Sequence, residues 1–245
     1  MSGNLQLRLK RRPTGRVTPE DFDRVDAPRS GAGPGEVLVR VLYLSIDPTN
    51  RVWMADVPQY MPPVGIGDVM RGAGLGEVVE SNAPGFSAGD LVFGLVGWQQ
   101  FAVMKPGGPF PLTRVPRDTS LPPHSFLGVC GPSGVTAYYG MLDICKPQAG
   151  ETVVVTGAAG SVGSIAGQLA KFQGARAVGI AGGPEKCRVL VEEFGYDAAV
   201  DYKSQDWRRE LKAAVPKGVD VLFENVGGPI MHRSEEHTSE LQSPI

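Results

Sequence analysis

The stretch ETVVVTGAAGSVGSIAGQLAKFQGARAVGI, residues 151–180, predicts a strand, a tight turn and a helix. The apolar, β-branched run 152–156 stops at a glycine cluster, and a helical pattern follows. Gly157 would allow a sharp turn, Gly160 a close approach to a ligand, and Gly163 close packing of helix on strand. A helix N terminus over such a turn suits a pyrophosphate, although tight packing without a ligand also uses glycine-rich turns.

The residues that follow continue the alternation of strand and helix. Strands are predicted at 177–181, 198–202 and 219–226, with helices at about 185–194 and 207–215 between them. This βαβαβαβ order is typical of a doubly wound parallel sheet. The fold class is therefore α/β, with a nucleotide-binding Rossmann domain in the second half of the chain.

The end of the second strand of this domain bears on the choice between NAD and NADP. An NAD site usually carries an acidic residue there to hold the ribose hydroxyls. The chain instead has Gly182 and Gly183, and Lys186 and Arg188 come just after. A ribose phosphate needs such cations. The two cations could also be ordinary solvated helix residues, but the missing acid favours NADP.

The last residues, from Arg233 onward, read RSEEHTSELQSPI; residues 233–243 match the translation of a common sequencing adapter, and the last two residues would fall in its variable index. We therefore expect residues 233–245 to be a foreign tail that interrupts the native sheet after His232, and we expect the fragment to be poorly soluble and inactive. The tail holds one of the 24 basic and three of the 26 acidic residues, so it accounts for the net charge of −2.

Composition excludes several classes of function. The basic cluster at residues 8–12 is short and lacks aromatic partners, so nucleic-acid binding is not expected. No apolar run reaches transmembrane length, and the first residues lack the apolar core of a signal peptide. Cys130, Cys145 and Cys187 are odd in number and far apart, which predicts reduced thiols in the cytoplasm.

The first half of the chain is predicted to be a β-rich domain without a helix of useful length. Its strands are predicted at 36–46, 74–80, 90–95 and 98–104, separated by turns rich in glycine and proline. Residues 121–145 are predicted to be helical, in two pieces joined at 131–134. The predicted domains are 1–125, β-rich, and 126–232, the first part of the Rossmann domain.

Several segments carry a family resemblance. VTAYYG at 135–140 and GAAGSVG at 157–163 resemble the medium-chain dehydrogenase/reductase superfamily. DPTNR at 47–51, PPVGIGDVMRG at 62–72 and FENVGG at 223–228 are similar to its zinc-independent, NADP-dependent alkenal or enone reductases. That group includes leukotriene B4 dehydrogenase/prostaglandin reductases and curcumin reductase-like proteins. The resemblance implies a GroES-like leading domain before the Rossmann domain.

The resemblance covers residues 5–232 and implies roles for individual residues. The pyrophosphate would contact Gly160, Ser161, Val162 and Gly163, and the ribose 2′-phosphate would contact Lys186 and Tyr202. Thr136 would lie near the nicotinamide amide, and Asn225 near the cofactor at the end of the fourth strand. The substrate mouth would lie near Asn50, Arg51 and Tyr60. If they bind no ligand, Tyr202 would be an aromatic residue at a strand end and Thr136 a helix residue that caps locally.

A zinc site is not expected. A catalytic zinc needs three protein ligands among Cys, His and acidic residues. DPTNR and VMRGAG stand where zinc alcohol dehydrogenases place their first cysteine and histidine, and both segments lack these residues. Cys130 lies where a third ligand would be, and a lone cysteine at an apolar helix end usually serves packing.

The predicted function of the intact parent protein is NADPH-dependent reduction of the C=C bond of α,β-unsaturated aldehydes or ketones. The cofactor passes hydride to the β-carbon, while the protein orients both molecules and stabilises the enolate. We expect a cytoplasmic homodimer that acts on a small molecule and binds neither membrane nor nucleic acid. A quinone reductase would use the same fold and cofactor, and a non-catalytic nucleotide-binding protein would share the fold.

Overall fold

A computed structural model describes residues 3–228 of the protein. The chain divides into two compact units, Met1–Leu127 and Gly128–Ile245. The predicted domain boundary at residues 125 and 126 remains a prediction. The predicted foreign segment, 233–245, lies outside the described residues.

The leading unit is β-rich, as predicted. Its described elements are β1 (Asn4–Leu9), β2 (Phe22–Ala27), β3 (Val37–Leu44), α1 (Pro48–Trp53), β4 (Gly74–Ser81), β5 (Leu91–Gly94), β6 (Phe101–Met104) and β7 (Thr113–Arg114), with 3-10 turns at Pro19–Asp21 and Pro123–Phe126. Strands β1 and β2 form an antiparallel pair. The other five form an antiparallel sheet in the order β6-β3-β4-β5-β7.

One face of the five-stranded sheet is buried, and its residues explain the strands. Val37 and Val39 of β3 pack with Val78 of β4 in a core from which water is excluded. Leu38, the residue between the two valines, is also buried, whereas Arg40, directly after Val39, is exposed and forms an ion pair with Glu77 at 2.6 Å. β-branched residues such as these valines suit a strand with a buried face.

The sequence prediction for this unit is correct for three strands and incomplete elsewhere. The strands predicted at 36–46, 74–80 and 90–95 are confirmed to within two residues, whereas β6 begins only at Phe101. Strand β1 was missed although Asn4–Leu9 alternates polar and apolar residues, since leucine is not among the residues enriched in strands, and β2 was missed because half of its residues are exposed. Helix α1, six residues long, is too short to show a helical period and contradicts the expectation of no helix.

The second unit is a four-stranded parallel sheet with helices between the strands. Its described elements are α2 (Pro132–Tyr138), followed by a π-helix at Tyr139–Cys145, β8 (Thr152–Thr156), α3 (Ser161–Phe172), β9 (Arg176–Ala181), α4 (Pro184–Glu192), β10 (Ala198–Asp201), α5 (Trp207–Ala214) and β11 (Val221–Phe223). The strand order is β10-β9-β8-β11. The predicted βαβαβαβ order and the α/β fold class are confirmed.

Strand β8 is buried along its whole length because the sheet is covered on both faces. Val153 and Val155 pack into a cluster with Ala166 of α3. Val154 points the other way, into a cluster with Leu211 of α5. Parallel strands that are covered on both faces have continuous apolar sequences, and for this reason β8 could be predicted correctly from the sequence.

Two boundaries in this unit differ from the prediction. The sequence pattern predicts a junction between two helical pieces at 131–134, but Gly131 directly precedes α2, which begins at Pro132 and continues into the π-helix. Proline is favoured at a first helical position, so these residues start a helix and do not interrupt one. Strand β11 ends at Phe223 because the carboxylate of Glu224 accepts the N–H groups of Val226 and Gly227, which turns the chain.

Candidate nucleotide-binding site

The glycine-rich turn after β8 adopts a conformation that needs glycine. Gly157 has a φ of +56°, in the left-handed region that L side chains rarely adopt. The N–H of Gly160 donates to the carbonyl oxygen of Gly157 at 2.9 Å, and α3 begins at the next residue, Ser161. The turn therefore places the N terminus of α3 just beyond the carboxyl end of β8.

Two glycines within α3 allow the helix to pack closely on its neighbours. A Cβ at Gly163 would lie 2.5 Å from the carbonyl oxygen of Gly157, and a Cβ at Gly167 would lie 1.9 Å from Cζ of Tyr196. The hydroxyl of Tyr196 donates to the carbonyl oxygen of Gly163 at 2.6 Å. Burial raises the pKa of this phenol well above its usual value, so the phenol stays a neutral donor.

The first turn of α3 offers hydrogen-bond donors that have no acceptor. Within residues 3–228, the N–H groups of Ser161, Val162 and Gly163 meet no hydrogen-bond acceptor, and no side chain caps the helix. The positive end of the helix dipole adds to the effect of these donors. Three N–H groups on a 12-residue helix suit the oxygen atoms of a pyrophosphate.

No acidic residue directly follows β9, since the next three residues are Gly182, Gly183 and Pro184. The ring of Tyr202 lies against Gly182, where a Cβ would be 2.8 Å from both Cε1 and the phenolic oxygen. The nearest strand-end acid, Asp201, accepts the N–H groups of Gly183 at 2.8 Å and Lys203 at 2.9 Å. The hydrogen bonds from Lys203 and Gly183 hold the pKa of Asp201 below its usual value. This carboxylate is therefore bound to the backbone of the site.

The two cations predicted for the ribose phosphate differ in their surroundings. Lys186, in the first turn of α4, is exposed and forms no ion pair with any described residue. Arg188 pairs with Glu192 at 2.7 Å, one helical turn further on. A third cation, Lys203, is exposed beside Tyr202. Lys186 is thus better placed than Arg188 to meet an anionic ligand.

The carboxyl ends of β8 and β11 are joined by side chains. The hydroxyl of Thr156 donates to Oε1 of Glu224 at 2.7 Å and accepts the N–H of Asn225 at 2.8 Å. The side-chain amide of Asn225 donates to the carbonyl oxygen of Thr156 at 2.9 Å. Oε2 of Glu224 is buried and has no hydrogen-bond partner among the described residues. Asn225 is thereby fixed beside the glycine turn.

Sequence reasoning missed the residues that organise these strand ends. Thr156, Asp201 and Glu224 each stand at or next to the end of a parallel strand and hold the backbone of the adjoining loop. A polar residue that closes an apolar strand is the sequence signal that could have identified them. Thr136, in contrast, was predicted and lies exposed on α2; its hydroxyl meets no hydrogen-bond partner in the described part of the chain.

The three positions predicted at the substrate mouth lie in or near α1. Asn50 is buried, and its amide accepts the N–H of Asp47 at 2.6 Å and donates to the carbonyl oxygen of Arg71 at 3.1 Å. The guanidinium of Arg51 donates to a backbone carbonyl at 2.8 Å. Tyr60 is exposed. The amide of Asn50 is thus engaged within its own loop, and contacts of all three residues with a substrate remain predictions.

The described residues hold neither a metal-binding cluster nor a membrane-spanning helix. Across positions 3–228, no three His, Cys, Asp or Glu side chains are grouped closely enough to hold a metal ion. Cys130, Cys145 and Cys187 are free thiols. The absence of zinc remains a prediction. No described helix combines the length and the apolar character needed to cross a bilayer.

Two domain families match the chain. Residues 5–112 match the family described as "N-terminal domain of oxidoreductase", and residues 161–240 match the family described as "Zinc-binding dehydrogenase". The second match begins at the first residue of α3 and extends into segment 233–245, whose foreign origin remains a prediction. The fold and the two matches place the chain in the class of dehydrogenase-like oxidoreductases.

Similarity to individual proteins identifies a narrower family within this class. The chain is 44% identical over 222 residues to the NADPH-dependent curcumin reductase of Escherichia coli (strain K12), covering 91% of this chain and 63% of that protein. It is 40% identical over 201 residues to the 2-alkenal reductase (NADP(+)-dependent) of Nicotiana tabacum, which covers 81% of this chain and 58% of that protein. CurA from Vibrio vulnificus, in its crystal structure in complex with NADPH, has 38% sequence identity to this chain and a TM-score of 0.89. The match covers 96% of this chain and 68% of the CurA chain.

The chain belongs to the medium-chain dehydrogenase/reductase superfamily, in its zinc-independent group of NADP-dependent alkenal and enone reductases. This confirms the family that segments 47–51 and 223–228 indicated. The chain spans less than two thirds of the length of the two curated relatives named above.

Proposed function

We propose that this protein is an NADPH-dependent reductase that saturates the C=C bond of α,β-unsaturated aldehydes or ketones. Membership of the family supports the proposal. The observation that carries it is the end of β9, where Tyr202 lies against Gly182 and residues 182–184 include no acid. Such an end suits a phosphorylated ribose, because a free ribose diol would be held by an acid at this place.

The residues at the ends of β8 and β9 fit a dinucleotide with a 2′-phosphate. The N–H groups at the start of α3 would bind the pyrophosphate, and Gly160 leaves room for it to approach the backbone. Lys186 would pair with the 2′-phosphate, and the hydroxyl of Tyr202 would donate a hydrogen bond to it. We therefore assign NADP(H) as the cofactor.

Residues near the nicotinamide and the substrate are assigned from their positions in the chain. When bound, NADPH supplies the hydride that adds to the β-carbon of the substrate. We propose that Asn225, fixed at the end of β8, and Thr136 orient the nicotinamide. We propose Asn50, Arg51 and Tyr60 as residues near the substrate mouth. Addition of hydride to a conjugated carbon does not need a strong Lewis acid, which is consistent with a zinc-independent family.

The proposal extends to the organisation of the protein. Residues 1–125 would serve as the GroES-like substrate domain and residues 126–232 as part of the cofactor domain. The substrate would be a small enal or enone, and the working form a homodimer in the cytoplasm that needs neither membrane nor nucleic acid.

Titration and turnover together test this function. We would measure binding of NADPH and NADH to the 245-residue chain by fluorescence, and NADPH oxidation with a 2-alkenal or a quinone in the full-length protein, because the 245-residue chain by itself is expected to be inactive. Preferred binding of NADPH and oxidation by the 2-alkenal alone are expected. Oxidation by the quinone alone would favour a quinone oxidoreductase. Binding without oxidation by either compound would favour a non-catalytic nucleotide-binding protein, and absence of binding would overturn the proposal.

A further inference from the structure

A cavity in the leading unit, which shares no residue with the nucleotide-binding site, is lined by both amide and apolar side chains. Its volume is about 240 Å³. A cavity of about 150 Å³ already holds benzene, so this one has room for a substituted ring. Val103 is exposed, so the cavity opens to solvent on that side. Its amide and apolar side chains are those of Asn4, Gln6, Gln99, Leu38, Phe101 and Val103.

The amides are held in place by the backbone and by one another. The side chain of Asn4 accepts the N–H of Phe101 at 2.9 Å and donates to the carbonyl oxygen of the same residue at 2.8 Å. Gln6 donates to Oε1 of Gln99 at 3.0 Å, and Gln99 donates to the carbonyl oxygen of Val96 at 2.8 Å. Asn4 and Gln6 are only 6% and 9% exposed. The amide groups are therefore fixed before any ligand arrives.

Two N–H groups of these amides are not used inside the protein. The amide nitrogen of a glutamine carries two N–H donors. Gln6 and Gln99 each use one of them in the hydrogen bonds given above, and the second meets no acceptor among residues 3–228. Because both side chains line the cavity, the cavity offers two fixed donors to the oxygen atoms of a ligand.

A positive charge lies directly behind one of these donors. The guanidinium of Arg8 donates to Oε1 of Gln6 from Nε at 2.9 Å and from Nη2 at 2.6 Å. Within the described part of the chain, its only other hydrogen bond is to the carbonyl oxygen of Gly67, so no carboxylate neutralises it. A hydrogen bond from a cation polarises the amide and strengthens its N–H donors. None of the described residues that line the cavity is acidic, so the site favours an anion.

We propose that this cavity binds an aromatic carboxylate of about the size of benzoate. The carboxylate would accept the free N–H groups of Gln6 and Gln99, and the ring would lie against the apolar side chains. Hydrogen bonds to a carboxylate are roughly twice as strong as those to a neutral acceptor. The site uses none of the residues assigned to NADP(H) or to the enone, so it stands or falls independently of the function proposed above.

Titration of the 245-residue protein with benzoate and benzamide, followed by ligand-detected NMR, tests this site. The two probes have nearly the same shape, but only benzoate carries a charge. Benzoate should bind at least about tenfold more tightly than benzamide, because its two oxygen atoms accept charge-assisted hydrogen bonds.

Gln6→Glu tests the polar part of the cavity. The new carboxylate keeps an acceptor for Arg8 but places a negative charge beside the ligand, so benzoate should bind at least about tenfold more weakly. Gln100→Glu is the matched control with the same change in charge. Gln100 is exposed, does not line the cavity, and accepts the N–H of Leu5 through an oxygen atom that glutamate also has. This variant should bind benzoate like the wild type.

Val103→Phe tests the same cavity without altering the amides. The position is exposed on a strand, which phenylalanine suits, and thermal unfolding checks that the variant is folded. The larger ring should fill part of the cavity and weaken binding of both probes about tenfold.

Three results would overturn the proposal. The first is a folded wild type that binds benzoate no better than benzamide, or binds neither. The second is an equal loss of benzoate affinity in Gln6→Glu and Gln100→Glu, since that would reflect net charge alone. The third is unchanged binding of both probes to Val103→Phe, which would place them outside this cavity.

Discussion

The hydroxyl of Thr156, the last residue of β8, donates a 2.7 Å hydrogen bond to Glu224, which directly follows β11. The two residues are 68 positions apart in sequence, but the parallel sheet makes their strands neighbours. The same carboxylate oxygen accepts the N–H groups of Val226 and Gly227. One oxygen atom of Glu224 therefore joins two strand ends and shapes the loop after β11.

Replacement of Thr156 by valine should destabilise the second unit. The side chain is fully buried, so its loss would remove one of the donors to Glu224 and leave the N–H of Asn225 without an acceptor. We expect the free energy of unfolding to fall by about 1–3 kcal/mol in urea titrations. Thr152→Val, at the other end of β8, is the control, because that hydroxyl has no hydrogen-bond partner within residues 3–228. Equal losses in the two variants would contradict this account.

Lys186→Ala should reduce the preference for NADPH over NADH. We expect the wild type to bind NADPH at least about tenfold more tightly, since one charged phosphate contact contributes roughly 1.5–3 kcal/mol. Arg188→Ala removes a cation two residues away that is already paired with Glu192, so it should change the preference much less. Fluorescence titration with both dinucleotides measures the ratio. An equal affinity of the wild type for both would refute the assignment of NADP.

Tyr196 should make stability depend on pH in the alkaline range. Burial raises the pKa of its phenol, so above about pH 10 the unfolded chain loses a proton that the folded chain keeps. Its contribution is fully present below about pH 10 and is lost as pH rises further, by up to about 1.4 kcal/mol per pH unit. Urea unfolding of the wild type and Tyr196→Phe from about pH 8 to about pH 11 measures the difference. Parallel pH profiles would show that the phenol does not titrate differently on folding.

The purified protein should contain far less than one zinc ion per chain. This expectation follows from the absence of Cys and His in the segments 47–51 and 69–74, where zinc alcohol dehydrogenases have ligands. Elemental analysis gives the metal content directly. Treatment with a chelator should leave NADPH binding and the unfolding temperature unchanged. Stoichiometric zinc, or loss of binding with the chelator, would contradict the prediction.

The parallel sheet was predictable because its signals are local. Strand β8 is a continuous apolar run that ends at a glycine with positive φ, and both features can be seen in the sequence. Strand β2 could not be found in this way, because its place depends on pairing with β1 and half of its residues are exposed. The start of α2 was misplaced since a glycine before a proline is compatible with either a break or a helix start.

The candidate site could be predicted from the sequence at positions where the residue type points to a single function. The glycines of the turn indicated a phosphate-binding loop, and the missing acid after β9 indicated NADP. The roles of Glu224 and Asp201 were not predictable, because each depends on backbone groups that only the folded sheet brings within reach. Likewise, the sequence shows Gly182 and Tyr202 20 positions apart, and only the register of β9 and β10 places them in contact.

The strand order β10-β9-β8-β11 has a consequence that involves no side chain. From β8 the chain adds strands in one direction, through β9 to β10, and then returns to add β11 on the opposite side of β8. The crossover connections on the two sides of β8 therefore lead away from each other, and a crevice opens at the carboxyl ends of β8 and β11. The ligand position is thus set by the path of the chain, and a substitution in the glycine turn can change what binds there but not where it binds.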